Sequence, residues 1–325
     1  MENIEVFAPA RVDLAGGTLD IFPIYLFFEN PFTLNSTLSK GVRVCFRKRK
    51  GRILLKNANS GVSEFFPSYH KDLSLVTALL EYLKIENGFE IEFYSDFPQG
   101  SSLGVSSSLL VAVLYGLNKL FNLRFSRKKS VEILKNIETR FMGYPAGLQD
   151  YLAPLYGGLN AFYFGVEGFT RKKINLDKRF RKNFIFVYTG KSHFSGAPNW
   201  ELFKGFFDKE KTILSGFQLI YENSKKLLQA IENKNIKLLG KLLKDDFETR
   251  KHMLSSLVPK VDLFDILDNL KGVLGYRLCG AASGGTAVVC VESGRADSVK
   301  AFLKDRGYTV FDCLLENKRV AARYV

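Results

Sequence analysis

Four glycine-rich segments hold the residues whose types and spacing could do chemistry. The first runs Pro98-Gln99-Gly100-Ser101-Ser102-Leu103-Gly104-Val105-Ser106-Ser107-Ser108, between a strand-like stretch and an apolar, helix-like one. Small side chains there would let a phosphate reach unpaired N–H groups at the positive end of the helix. The same serines would equally make an ordinary helix cap. This is not a Walker loop. No G-x-x-x-x-G-K-[ST] pattern occurs, and at Thr189-Gly190-Lys191-Ser192 the first glycine would fall on Ile185, inside a strand-like run. The second segment is Pro145-Ala146-Gly147-Leu148-Gln149-Asp150-Tyr151, closed by Tyr156-Gly157-Gly158. Taken alone, Asp150 reads as a turn or cap residue, and Glu138, twelve positions earlier, as a surface glutamate. The third, from Ala8 to Asp20, contains Arg11, Asp13 and the Gly16-Gly17 pair. The fourth, Gly280-Ala281-Ala282-Ser283-Gly284-Gly285, reads as a permissive loop or a plain hairpin turn. Lys191 and His193 stand in a loop that would meet an anionic group if it faced a cleft, and would otherwise be solvated.

The periodicity around these segments supplies strands and helices to hold them. Ile4–Phe7, Val42–Phe46 and the alternating Phe89–Tyr94 predict strands, while Leu109–Phe121 and Ser130–Arg140 predict helices. Phe184–Tyr188 is a continuous apolar strand, and 208–254 is a long helical pattern. The remainder predicts a strand at Tyr276–Cys279, a strand at Thr286–Glu292, a helix at Ala296–Asp305 and a strand at Tyr308–Leu315. Strands and helices in both halves, with a charged stretch at 171–182 between them, predict an α+β protein of two domains, 1–175 and 176–325.

In order and spacing the four segments resemble the GHMP small-molecule kinases, named for galactokinase, homoserine, mevalonate and phosphomevalonate kinases. That family has a basic residue after an N-terminal Pro and a central P-x-x-x-G-L-G-S-S-A type phosphate loop. A catalytic Asp in a Gly-rich segment and a C-terminal Gly-rich loop follow. All four occur here in that order, over residues 8 to 290. The A-P-x-R start with Asp20 nine residues after Arg11 is similar to heptose-phosphate, fucose and galactose kinases. Gly147-Leu148-Gln149-Asp150-Tyr151 with Gly157-Gly158, and Tyr188-Thr189-Gly190, look like the heptose branch. Mevalonate kinases, the alternative branch, usually have Lys where Arg11 stands.

The resemblance implies a two-domain GHMP-kinase-like fold with its active site in the interdomain cleft, the second domain being ferredoxin-like. It implies that Pro98, Gly100, Ser101, Ser102, Leu103, Gly104, Val105, Ser106 and Ser107 cradle the phosphates of ATP. Ser106 and Glu138 would hold Mg²⁺, and Asp150, beside Arg11, would act on the attacking hydroxyl. Asp20, Gly17, Thr18 and Gln149 would bind a monosaccharide or monosaccharide phosphate of the heptose 7-phosphate, galactose or fucose type. The chain departs from the family at Ser102, commonly Gly, and at Val105, where the first Ser of the pair is usual. It departs again in the Gly280–Gly285 loop, and in the extra residue, Leu19, between Thr18 and Asp20.

Composition sets the remaining limits. With 325 residues, 46% hydrophobic and 29 Phe, the chain can bury a large core and is not disordered. No run of 18 apolar residues and no leader pattern is visible, and four scattered cysteines form no C-x-x-C. These point to a cytoplasmic protein without a membrane partner. Lys and Arg number 47 against 33 acidic residues, a formal charge of +14. The basic runs Arg43–Arg52 and 171–182 raise nucleic-acid binding as a non-enzymatic alternative, against a solvated edge strand and a charged interdomain loop. No zinc-finger, RRM or KH signature accompanies them. Most of the charge reads as solvated surface, with modest steering of an anionic substrate.

Overall fold

The computed structural model describes residues 3–191, 196–280 and 282–325. The chain opens with β1 (Ile4–Ala15), a 3-10 turn at Ile24–Phe27 and the 21-residue β2 (Phe32–Arg52). β3 (Leu54–Asn57), β4 (Val62–Phe65), α1 (Ser74–Leu83) and β5 (Asn87–Ser95) follow. Three helices then come in succession: α2 (Val105–Leu120), α3 (Arg127–Met142) and α4 (Gln149–Tyr156). The hairpin of β6 (Leu159–Gly165) and β7 (Gly168–Ile174) leads through the single turn α5 (Lys178–Arg181) to β8 (Phe184–Tyr188). Next are α6 (Gly196–Phe207), α7 (Lys211–Glu232), α8 (Ile236–Met253) and α9 (Leu263–Asn269). β9 (Val273–Leu278), β10 (Thr286–Val291), α10 (Ala296–Asp305), β11 (Thr309–Phe311) and β12 (Ala321–Tyr324) complete the chain.

The strands form two sheets. The larger has eight strands in the order β12-β1-β2-β5-β3-β4, with β6 and β7 added along the first part of β2; the smaller runs β11-β8-β10-β9. β2 can serve both arms because it is long: Phe32–Ser36 pair with β6 and Val42–Lys48 with β5. The crossover is a bulge opposite Pro9, where a Cβ on Gly41 would lie 2.6 Å from the Pro9 Cα. The change of sheet occurs after β7, while the tail returns to the large sheet as β12 beside β1.

Apolar burial explains the layers. Val6, Val44, Phe46 and Ile91 of the large sheet face Leu110, Val113 and Leu117 of α2, and Gly116 leaves room for the Phe46 ring. A second core joins the two sheets: Val12, Leu34 and Leu159 meet Phe184, Phe186 and Val288, with Leu239 and Leu243 of α8. Non-directional burial of this kind holds the elements together.

Several expectations change in three dimensions. The 208–254 pattern is two helices, broken where Asn235 accepts a hydrogen bond from Leu238 N and caps α8. The strand expected over Tyr308–Leu315 is only three residues of β11. Arg43–Arg52 is only partly an edge: Arg43–Phe46 lie in β2 between β1 and β5, while Arg47, Lys48 and Arg52 pair with β5 alone. Its alternating arginines face acids across the sheet, Arg47 meeting Glu90 at 2.8 Å and Glu92 at 2.7 Å. The 171–182 stretch is partly β7, paired with β6, rather than all loop. Among the described residues, no helix is long and apolar enough to cross a membrane.

Candidate active site

Arg11 is the hub. It sits in β1, 4% exposed, and its Nε donates to Asp150 Oδ1 at 2.7 Å while Nη1 donates to the Ser102 carbonyl at 2.7 Å. Its backbone N–H also donates to the Leu103 carbonyl at 2.9 Å. One side chain therefore ties the 100–107 loop to the start of α4. Burial works against the charged guanidinium, but the Asp150 carboxylate outweighs it and raises the Arg11 pKa.

The loop is shaped for an anion rather than closed by its own serines. Gly104 is the N-cap of α2 with φ 67° and offers no side-chain cap. A Cβ there would lie 3.0 Å from Arg11 Cγ, so glycine lets the arginine pass beneath the helix start. The serines turn elsewhere: Ser102 Oγ donates to the Gly284 carbonyl at 3.1 Å and Ser108 Oγ to the Pro9 carbonyl at 2.9 Å. Ser101 Oγ is buried with no partner. The serine-cap reading of this segment does not describe α2, whose first amides are left uncapped by any side chain.

Glu138, on α3, is not a surface residue. It points inward, where the Tyr151 hydroxyl and the Ser107 hydroxyl (3.4 Å) meet its Oε2. Burial, with the nearby Asp150 charge, pushes its pKa up to about 8. The hydroxyl that the fold brings to Glu138 is that of Ser107; Ser106, named from the motif, stands exposed on the same first turn of α2. A carboxylate this short of compensating positive charge, ringed by hydroxyls, is an all-oxygen donor set. That chemistry fits Mg²⁺.

Asp20 follows the Gly16-Gly17 turn and packs against the start of α4. It is 1% exposed and accepts the Gln149 backbone N–H at 2.8 Å. A Cβ on Gly147 would overlap its carboxylate, so the Gly147 turn and Asp20 interlock. Burial pushes the Asp20 pKa up to about 6, against the Gln149 amide and with the Asp150 charge. Gln149 is buried too, and its Oε1 has no partner. Gly17 faces the Gln149 amide, 3.2 Å from where its Cβ would be. Thus Gly17, Gln149, Asp20, Asp150, Arg11 and the loop are brought together. Asp150 itself is the second residue of a helix, not a turn residue.

Behind this site lies a buried ionic chain that the sequence analysis did not single out. Asp13 meets Arg277 Nη2 at 2.7 Å, Arg277 Nη1 lies 3.3 Å from Asp246, and Asp246 meets Arg250 Nε at 2.8 Å. Arg250 then donates to the Gly17 carbonyl at 2.7 Å and to Thr18 Oγ1 at 3.3 Å. Burial opposes the Asp13 charge, yet Arg277, Arg11 and Arg250 hold its pKa below the usual carboxylate range. Asp13 Oδ1 also accepts Gly280 N–H at 2.9 Å, and Thr286 Oγ1 donates to the Ser101 carbonyl at 2.8 Å. The C-terminal glycine loop is therefore packed on the phosphate-type loop, and is not a free hairpin turn. An i,i+4 Asp–Arg pair on α8 was the available signal for Asp246 and Arg250. Ser192, His193, Phe194 and Ser195, and Ala281 of the C-terminal loop, lie outside the described residues.

Two sheets joined through a shared core, with a glycine-opened helix, a buried Arg–Asp pair and a second carboxylate beside it, define a phosphoryl-transfer type of architecture. Residues 71–158 match the model of the GHMP kinases N terminal domain. The chain is 25% identical over 337 residues to D-glycero-alpha-D-manno-heptose 7-phosphate kinase of Campylobacter jejuni, covering 95% of each. It is 26% identical over 349 residues to galactokinase of Clostridium beijerinckii, covering 90% of this chain and 86% of that protein. Its fold matches a D-glycero-D-manno-heptose 1-phosphate kinase structure from Bacteroides thetaiotaomicron with a TM-score of 0.78, at 18% identity and 99% coverage of both chains. The chain belongs to the GHMP kinase family.

Proposed function

We propose that the protein transfers the γ-phosphoryl group of ATP, with Mg²⁺, to a hydroxyl of a monosaccharide or monosaccharide phosphate of the heptose 7-phosphate, galactose or fucose type. It would act in the cytoplasm as lobes 1–175 and 176–325 about a cleft. The observation that carries this reading is Arg11, which bridges the Ser102 carbonyl of the glycine loop and the Asp150 carboxylate. It couples the place for phosphates to the place for an acceptor hydroxyl. The names of the two relatives support the acceptor class.

Pro98 and residues 100–107 would cradle the β- and γ-phosphates, the first amides of α2 being already oriented and free of a side-chain cap, so little reorganisation accompanies the shift of charge. Ser106 and Glu138 would hold Mg²⁺, with Ser107 steadying the Glu138 carboxylate. The metal, when bound, offsets phosphate charge. Asp20, with Gly17, Thr18 and Gln149, would fix the sugar hydroxyls, a buried carboxylate being able to accept two at once. Asp150 would orient the attacking hydroxyl and receive its proton, while Arg11 neutralises the charge that gathers there. The burial of these groups excludes water that would otherwise take the phosphoryl group.

The test is ADP release with Mg²⁺-ATP across galactose, fucose, mannose and heptose 7-phosphate. Turnover dependent on one of these is expected. Silence across the panel, with ATP binding intact, would sink the assignment of a sugar acceptor.

A further inference from the structure

Several exposed cations on sheets and helices face acids: Arg47 with Glu90 and Glu92, Lys172 with Glu232, Lys129 with Glu132, Arg323 with Glu5. One cluster does not. Arg127 and Arg171 place their guanidinium carbons 5.0 Å and 5.1 Å from the centre of the Tyr156 ring. Lys128 lies 6.0 Å from the centre of the Phe169 ring, which packs edge-on against Tyr156. Lys173 stands two residues beyond Arg171 on the same face of β7, opposite Asn160. Arg319 arrives on the way to β12 and fills the space that a Cβ on Gly157 would need. Arg127, Lys128, Arg171, Lys173 and Arg319 have no acidic partner among the described residues.

The cluster is held in place rather than left to disperse. Arg171 Nε donates to Asn160 Oδ1 at 2.6 Å. Asn160 is fully buried, and its own Nδ2 donates to the Gly157 and Gly158 carbonyls at 3.1 Å and 3.0 Å, which fixes the amide. The outer N–H groups of Arg171 meet no acceptor among the described residues. Arg127 and Lys128 moreover open α3, a 16-residue helix with no acid in its first turn. Cations at a helix N-terminus are unfavourable, since that end is already positive. Burial, and the charges of Arg127 and Arg319, lower the Arg171 pKa against the pull of Tyr156. Like charges brought together this way, on a rigid strand and a helix start, are relieved by a multivalent anion.

We propose that this cluster is a second anion site, separate from the glycine loop, that binds a small phosphate-bearing ligand of at least two negative charges. It sits at the opposite end of α4 from Asp150, six residues or about 9 Å along the helix. A small ligand fits better than a nucleic acid. Tyr156 already carries two guanidiniums, and its ring packs against Phe162 and Phe169, so no base can stack on it.

The test uses inorganic pyrophosphate, titrated calorimetrically into the full chain in magnesium-free buffer at two salt concentrations. Arg127→Gln/Arg319→Gln and Arg171→Gln are compared with the native protein, their folding checked by thermal melting. Pyrophosphate bound at the glycine loop survives these substitutions, whereas the site at Tyr156 does not. The expected result is salt-sensitive binding in the native protein, with one class of site lost or weakened about tenfold or more in both variants. Unchanged stoichiometry and affinity in the variants would overturn the proposal. So would absence of pyrophosphate binding, or binding of a single-stranded oligonucleotide where pyrophosphate fails.

Discussion

Asp150 and Asp20 are both carboxylates at the start of α4, and their surroundings give them different work. Asp150 is paired with a buried guanidinium, while Asp20 is met by backbone amides, that of Gln149 foremost, and loses solvation on burial. Replacing Asp150 with Asn should cut turnover by roughly 100-fold or more while leaving affinity for an ATP analogue within a fewfold, as steady-state kinetics and calorimetry would show. Native-like turnover would remove it from the chemistry. Asp20 carries a pH signature. Its pKa is raised to about 6, so it is protonated below that value and becomes a full acceptor above it. The kcat/KM for the sugar should therefore rise with pH through about 6, and this limb should vanish in Asp20→Asn. A profile flat through that range in the native enzyme would separate Asp20 from sugar binding.

At the scale of elements, the decisive parts are short. α4 hid in the sequence because Gly147 and Gly157-Gly158 look like turn punctuation and Pro154 interrupts its eight residues. Packing forms it: Tyr151, Leu152 and Leu155 go into the core under the large sheet. α2 was legible from its apolar run, but its cap was not. A serine-rich approach suggests side-chain capping, whereas the close passage of Arg11 beneath Gly104 requires a residue without a Cβ. The two glycine loops act as a unit for a similar reason. Gly285, at φ 84°, has no room for a methyl beside Ser102 Oγ. Gly285→Ala should destabilise the protein by about 1–3 kcal/mol and weaken ATP-analogue binding together, measured by thermal melting and calorimetry. Loss of stability with nucleotide affinity intact would show that the C-terminal loop does not support the phosphate loop.

Across the whole molecule, the two sheets are joined by apolar burial and by one ionic chain, Asp13–Arg277–Asp246–Arg250, ending on Gly17 and Thr18. Such a chain adds little net stability when complete, but breaking it leaves buried charge without a partner. Arg250→Met should lower unfolding stability by about 3–5 kcal/mol, read from urea titration of Trp200 fluorescence. A loss below 1 kcal/mol would mean that water or rearrangement compensates Asp246. Because Arg250 also holds the turn that presents Asp20, the same variant should raise the KM for the sugar more than that for ATP.

Local chemistry was readable from residue types alone. Glycines with small neighbours before an apolar helix mark a loop that can approach phosphate, alternation marks β5, and a continuous apolar run marks β8. The order of those segments carried the family resemblance, and Arg11, Asp20, Asp150 and Glu138 do converge. What the chain order could not contain is partnership over distance. Ser107 rather than Ser106 faces Glu138, β2 is an inner strand only as far as Phe46, and arginines 250 and 277 stand behind the site. Each depends on which surfaces meet when the sheets pack. A buried charge reveals its partner only in three dimensions, because its cost is set by the burial and its relief by residues hundreds of positions away.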